Sequence, residues 1–150
     1  MRIYTVLVVD GEPMIRTLLR YAIASPKIEI TEADSAESAL NAAPPGAGFD
    51  LVITDIFPGR MDGLELAAKM VATGRGCKFL FISGSADEPS LKRIAQFRSS
   101  LFLHKPFAIS DLVHSVRHLL ETPKPERVTA SVRRREPCAC LRQRGRLAPE

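Results

Sequence analysis

Short blocks of continuous apolar residues alternate along the first 120 positions with stretches in which apolar residues recur every three to four places. Thr5–Val9 (TVLVV) is apolar and β-branched with no polar alternation, the pattern of a parallel strand buried on both faces. From Met14 the period changes: Met14, Ile15, Leu18, Leu19, Ala22 and Ile23 fall at helical spacing, Pro13 suits a first turn, and Ser25-Pro26 stops the helix. Ile28–Ala33 (IEITEA) alternates, as a strand nearer an edge does, and Asp34 or Ser35 can cap a helix carrying Ala36, Ala39 and Leu40. After the turn APPGAG come a strand at Asp50–Thr54 (DLVIT), the loop IFPGRMDG, and a helix with Leu64, Ala67, Ala68 and Val71. Lys78–Ile82 (KFLFI) is a fourth strand, Ser90–Phe97 a short helix, and Leu101–His104 (LFLH) a fifth strand. A last helix, capped by Ser110, places Ile109, Leu112, Val113, Val116, Leu119 and Leu120 on one face.

Five strands alternating with five helices predict a doubly wound α/β domain, a parallel sheet with helices on both faces, ending near Glu121. Residues 122–150 lose the periodicity and are rich in proline and arginine, which predicts a disordered basic tail. Charge separates the two parts. Residues 1–120 carry 13 basic and 13 acidic side chains, whereas 121–150 carry 8 and 4, so the net charge of +4 belongs to the tail. The basic balance therefore does not point to a nucleic-acid-binding fold. The first apolar run is short and interrupted by Asp10, unlike a signal peptide, and no stretch approaches a membrane span. Three cysteines without framework spacing (Cys77, Cys138 and Cys140) suit a reducing cytoplasm.

Ligands of open α/β sheets bind beyond the carboxyl ends of the strands. The residues there are Asp10, Asp55, Ser83 and Lys105, from strands one, three, four and five. Two carboxylates side by side repel, and a cation relieves them. Magnesium takes oxygen ligands, typically one or two carboxylates with waters and a phosphate. An amine and a hydroxyl added to that set make a site suited to receiving a phosphoryl group on a carboxylate. A nucleotide or flavin fold would need a phosphate-cradling Gly- or Ser/Thr-rich loop after the first strand, where Asp10 and Glu12 stand instead. An aspartate-nucleophile phosphatase would carry a second acid two residues after Asp55, where Phe57 stands.

Four ordered motifs, VLVVDGEP, DLVITDIFPGRMDGLEL, FISGSAD and FLHKPF, resemble those of response-regulator receiver domains, of the chemotaxis type within two-component signalling, over residues 3–121. The resemblance implies a flavodoxin-like three-layer fold with strand order 2-1-3-4-5. It implies Asp55 as phosphoacceptor, Asp10, Asp55 and the Phe57 backbone carbonyl as Mg²⁺ ligands, and Ser83, Lys105 and Phe102 as phosphoryl-contacting and switch residues. The phosphoryl group would come from a histidine kinase or phosphotransfer protein, and the output would be altered binding to a downstream protein, without enzymatic action on another substrate. One departure is Gly11, where the family usually has a second acid. Asp10 and Asp55 give −2, so a divalent metal and Lys105 leave +1 where the family site sums to zero. A weaker Mg²⁺ site follows, unless Glu12 bends inward to restore the third charge. A second departure is in the loop, where the family's proline commonly stands at Gly59. The alternative is a pseudo-receiver that binds partners without phosphorylation.

Other features read more simply. Asp62-Gly63 is turn chemistry before a helix. His114 and His118 lie four apart, opposite the apolar stripe of the last helix, as a solvated pair. Cys138 and Cys140 lack a second cysteine pair at ligand spacing, and Arg133–Arg135 lacks a folded reading element. No DNA-binding domain is expected in the tail, and dimerisation through a helix face is open to such a fold.

Overall fold

The computed structural model describes residues 2–42, 48–57, 62–73, 77–85 and 87–123. The tail after Pro123 and the loop segment 58–61, with the Pro58-Gly59 departure, lie outside the described residues. The elements are β1 (Tyr4–Val9), α1 (Pro13–Ile23), β2 (Ile28–Ala33), α2 (Ala36–Ala42), β3 (Leu51–Asp55), α3 (Gly63–Ala72), β4 (Lys78–Ser83), α4 (Glu88–Ile94), β5 (Ser100–His104) and α5 (Ile109–Glu121). All pairings are parallel and the order is β2-β1-β3-β4-β5.

The pleat of each strand divides the core into two. Leu7, Val9, Val52, Phe79 and Phe81 point to one face, under Ala36 and Ala39 of α2, Leu64, Ala67 and Met70 of α3, and Ile94 of α4. Val6, Val8, Leu51, Ile53, Leu80 and Ile82 point to the other, under Leu19 and Ile23 of α1 and Leu112, Val116 and Leu119 of α5. β4 is buried throughout, and so is β3 apart from half-buried Asp55, which is why both read as unbroken apolar runs. β2 lies at the edge, with Glu29 and Glu32 exposed and Ala33 its one buried residue. Phe79, Phe81 and Phe97 form a three-ring cluster with centroids 5.6–5.7 Å apart.

Several expectations shift by physical causes. Met14 and Leu18 are exposed, because the face of α1 that meets the sheet runs through Ile15, Leu19, Ala22 and Ile23. Tyr21 is exposed as well. In α3 the buried positions are Gly63, Leu64, Leu66, Ala67 and Met70, whereas Ala68 and Val71 face solvent. α4 starts two residues before Ser90, because Asp87 caps it by accepting from Ser90 N at 2.9 Å. Ser110 is not a cap: it lies inside α5, whose N-cap is Ala108, and this first turn leaves Ile109 outside the core. Ser35 does cap α2, its hydroxyl accepting from Ser38 N at 3.1 Å.

The far end of α5 is held by a charge the sequence hid within a strand. Lys78, 2% exposed at the start of β4, sends its ammonium to the carbonyls of Leu119 and Thr122. A cation there satisfies carbonyls that lack helical partners. Nearby, Asp50 accepts from Thr5 N (2.9 Å) and Arg2 (3.1 Å), tying the bottom of β3 to β1. No described helix is long and apolar enough to cross a membrane.

Candidate functional site

The sheet order reverses between β1 and β3, which leaves a crevice above their carboxyl ends. Val9 pairs with Thr54, so Asp10 and Asp55 emerge side by side. Asp55 is itself the last residue of β3, one place further into the strand than its sequence suggests. Lys105 follows β5 and reaches back across β4. Its Nζ lies 2.9 Å from Asp55 Oδ2 and 3.3 Å from Asp10 Oδ2. One ammonium thus bridges carboxylates from two strands and aims both at a common point. Burial disfavours the charge of Lys105, but hydrogen bonds and charge from Asp55 and Asp10 outweigh it and hold its pKa above the ordinary lysine value.

Each acid also has a backbone partner that fixes its rotamer. Asp10 Oδ1 accepts from Glu12 N at 2.8 Å, and Asp55 Oδ1 accepts from Phe57 N at 2.9 Å. Through the first bond the chain turns back over Asp10 within two residues, before α1 begins. Asp10 is buried, whereas Asp55 is half-buried and so the more accessible of the two. Ser83 is buried at the end of β4, where its hydroxyl accepts from Ser85 N at 3.1 Å. Its carbonyl accepts from Lys105 N at 3.0 Å, which ties the serine strand to the lysine. Phe102 is half-buried in β5 against the first core face and meets His104 edge-on, with centroids 6.4 Å apart. Glu12 is exposed at the N-cap of α1, and Phe57 is exposed after β3.

Three further residues support the site: Arg16 and Thr54, to which the sequence reading gave no role, and Gly63, which it gave only a turn role. Arg16 donates to the Asp10 carbonyl at 2.6 Å and sets its Nε 3.8 Å from Glu32; an arginine beside the apolar stripe of α1 was its only signal. Thr54, fully buried, donates its hydroxyl to the Asp55 carbonyl at 2.8 Å. Gly63 opens α3 so close to β3 that a Cβ there would stand 2.3 Å from the Asp55 carbonyl oxygen. It is therefore a close-approach glycine and not only a turn residue.

The donor set suits a hard divalent cation. Two carboxylates from adjacent strand ends converge within reach of one cation, and a backbone carbonyl lies two residues after Asp55. Among the described residues no group of three or more acidic, histidine or cysteine side chains stands together, which agrees with glycine at position 11.

Comparison with known proteins bears on this geometry. Residues 6–117 match the family model described as the response regulator receiver domain. A sensor kinase, CckA, of Brucella abortus is 31% identical over 118 residues, covering 78% of this chain and 12% of the kinase. The transcriptional regulatory protein FixJ of Bradyrhizobium diazoefficiens is 27% identical over 120 residues, covering 80% of this chain and 58% of that protein. The chain therefore spans less than two thirds of either relative. Among solved structures, the non-phosphorylated HemR receiver domain from Leptospira biflexa superposes with a TM-score of 0.72 at 21% identity, covering 82% of this chain and 98% of that one. A response regulator receiver domain protein from Methanospirillum hungatei does so at 0.72 and 22% identity, covering 79% and 94%. These two likenesses concern the fold, and the family model, matching well over half of the chain, adds the lineage: the chain belongs to the response regulator receiver domain family.

Proposed function

We propose that this receiver takes a phosphoryl group on Asp55 from a histidine kinase or histidine phosphotransfer protein, in a Mg²⁺-dependent reaction. The observation that carries the reading is the Lys105 ammonium bridging Asp10 and Asp55 at the crevice between β1 and β3. In the transfer, a carboxylate oxygen of Asp55 attacks phosphorus, the phosphorus–nitrogen bond of the donor phosphohistidine breaks, and the imidazole leaves with the electron pair and gains a proton. Lys105 exchanges a carboxylate partner for a phosphoryl oxygen, and Ser83 donates its hydroxyl to another. Asp10, Asp55 and the Phe57 carbonyl would hold magnesium, with Glu12 a further candidate, and when bound the metal supplies positive charge against the phosphoryl oxygens. Beyond its own phosphorylation and dephosphorylation the domain needs no enzymatic activity.

Output follows as a population shift. The phosphoryl group favours a state in which Ser83 and Phe102 move inward, and the face of β4, α4 and β5 changes. Leu91 and His104 are exposed on that face, which suits contact with a downstream protein in the cytoplasm, as for a chemotaxis-type regulator. Gly11 favours a second reading, a pseudo-receiver that binds partners without phosphorylation. The two separate by chemistry. Treating the protein with a small phosphodonor and Mg²⁺ and reducing the acyl phosphate with borohydride should convert Asp55 alone to homoserine in peptide mapping. Conversion at another acid, or none, rejects Asp55 as acceptor.

A further inference from the structure

Asp10 is held on its backbone as well as on its carboxylate. Its N–H donates to the Ala33 carbonyl at the end of β2 at 3.2 Å, and its carbonyl accepts from Arg16 Nη1 at 2.6 Å. Oδ1 takes the Glu12 N–H, and Oδ2 takes the Lys105 ammonium. The two carboxylate contacts are the less permanent pair. Glu12 follows Gly11, a residue type that leaves the backbone free to turn, and Lys105 leaves for a phosphoryl oxygen in the proposed transfer. The two backbone contacts run to β2 and α1 and do not involve the incoming group.

Arg16 is out of place on helix electrostatics. It lies in the first turn of α1, where the helix dipole disfavours a cation, and that turn holds no acid to offset it. Its side chain is nonetheless mostly buried, at 18% exposed. Ordering and desolvating a guanidinium there needs compensating contacts. One is the short charge-assisted bond to the Asp10 carbonyl, and the other is the ion pair of Nε with Glu32 Oε1 at 3.8 Å. Glu32 immediately precedes Ala33, so the strand end that accepts from Asp10 N–H also carries the carboxylate facing Arg16. The second oxygen of Glu32 lies 3.5 Å from Arg20, one turn further along α1. The contacts close a loop, from Asp10 to Ala33, from Glu32 to Arg16, and from Arg16 back to Asp10. That loop pins the peptide plane between Asp10 and Gly11.

We propose that Arg16 is a positioning residue for Asp10: oriented by Glu32, it clamps the Asp10 carbonyl and keeps the carboxylate aimed into the crevice when Lys105 turns to another partner. The consequence for magnesium rests on the reading of Asp10 as a metal ligand. Charge and position act in opposite directions here. As a positive charge beside the crevice, Arg16 would weaken cation binding, and its removal would tighten it. As a clamp it preorganises a ligand, and its removal weakens binding. Lysine keeps the charge, but a single-point ammonium cannot serve the carbonyl and Glu32 in the geometry of the guanidinium.

The test compares wild type with Arg16→Lys and Arg16→Met, by amide hydrogen exchange followed by NMR in the metal-free protein and by Mg²⁺ titration. In both variants the Glu12 amide, which donates to Asp10 Oδ1, should exchange about tenfold faster. The Phe57 amide, which donates to Asp55 Oδ1 in the same crevice, should exchange as in wild type and is the internal control. Mg²⁺ affinity should fall by about tenfold in both variants. Glu32→Gln should lower it too, with no further effect on top of Arg16→Met. Equal exchange of the Glu12 amide in wild type and Arg16→Lys overturns the proposal. So does an equal acceleration at Phe57, which would mean general loosening, and so does unchanged or tighter Mg²⁺ binding in Arg16→Met. A wild type that binds no Mg²⁺ rejects Asp10 as a metal ligand, while the exchange of Glu12 still decides whether Arg16 holds Asp10 in place.

Discussion

Lys105 sets the charge balance at the strand ends: with Asp10 and Asp55 it leaves the crevice at −1, where a second acid at position 11 would leave it at −2. Gly11→Asp should therefore tighten Mg²⁺ binding by about tenfold or more, measured by calorimetry, since an added carboxylate beside a divalent ion contributes several kcal/mol even in a well-screened site. Unchanged affinity would show that residue 11 does not face the metal. Lys105 also predicts a pH dependence. Its folded pKa is raised, so its contribution to stability is complete below the ordinary lysine value of 10.5 and is lost as pH rises through the folded value. The stability difference between wild type and Lys105→Met, from urea titrations, should be flat around neutral pH and narrow only above about 10.5. The four strand-end residues were legible in sequence because each follows an apolar run. Arg16 and Gly63 were not, because their roles depend on which backbone lies opposite them. Gly63 is the sharper case: nothing in Asp62-Gly63 distinguishes a turn glycine from one packed against the Asp55 carbonyl.

At the scale of elements, strands were easier to read than helix faces. Continuous runs such as KFLFI announce burial on both sides, whereas a helix with apolar residues around much of its surface leaves the buried stripe undecided. In α1 the sequence offers Met14 and Leu18 as readily as Ile15 and Ala22, and only the sheet's position selects between them. The junction of β3 and α3 should be the least tolerant of change. Gly63→Ala would force α3 off β3 and cost roughly 1–3 kcal/mol in denaturant unfolding, with phosphorylation of Asp55 slowed as well. A neutral result would mean that the junction relaxes freely. The turn before β5 should respond in the opposite sense. Ser99 holds a φ of 57°, a left-handed conformation that favours glycine. Ser99→Gly should raise the unfolding midpoint, by up to about 1 kcal/mol in stability; a lower midpoint would show that the Ser99 side chain has a compensating role.

For the whole molecule, the site stands at one end of the sheet, and the buried Lys78 at the other end secures the last turn of α5. Alternation of strand and helix specified the doubly wound class, but the order β2-β1-β3-β4-β5 came only with the family resemblance, because no local pattern says which parallel strands are neighbours. The same topology brings residues 10, 55, 83 and 105 to adjoining strand ends. That convergence accounts for the acid at the tip of VLVVDGEP: it is one of two carboxylates facing a shared cation. The most direct measurement is the intact mass of the protein after incubation with a small phosphodonor, with and without Mg²⁺, beside Asp55→Ala. A mass increase of one phosphoryl group, dependent on Mg²⁺ and absent from Asp55→Ala, is the predicted result. An equal increase in Asp55→Ala, or none in the wild type at any Mg²⁺ concentration, would contradict it.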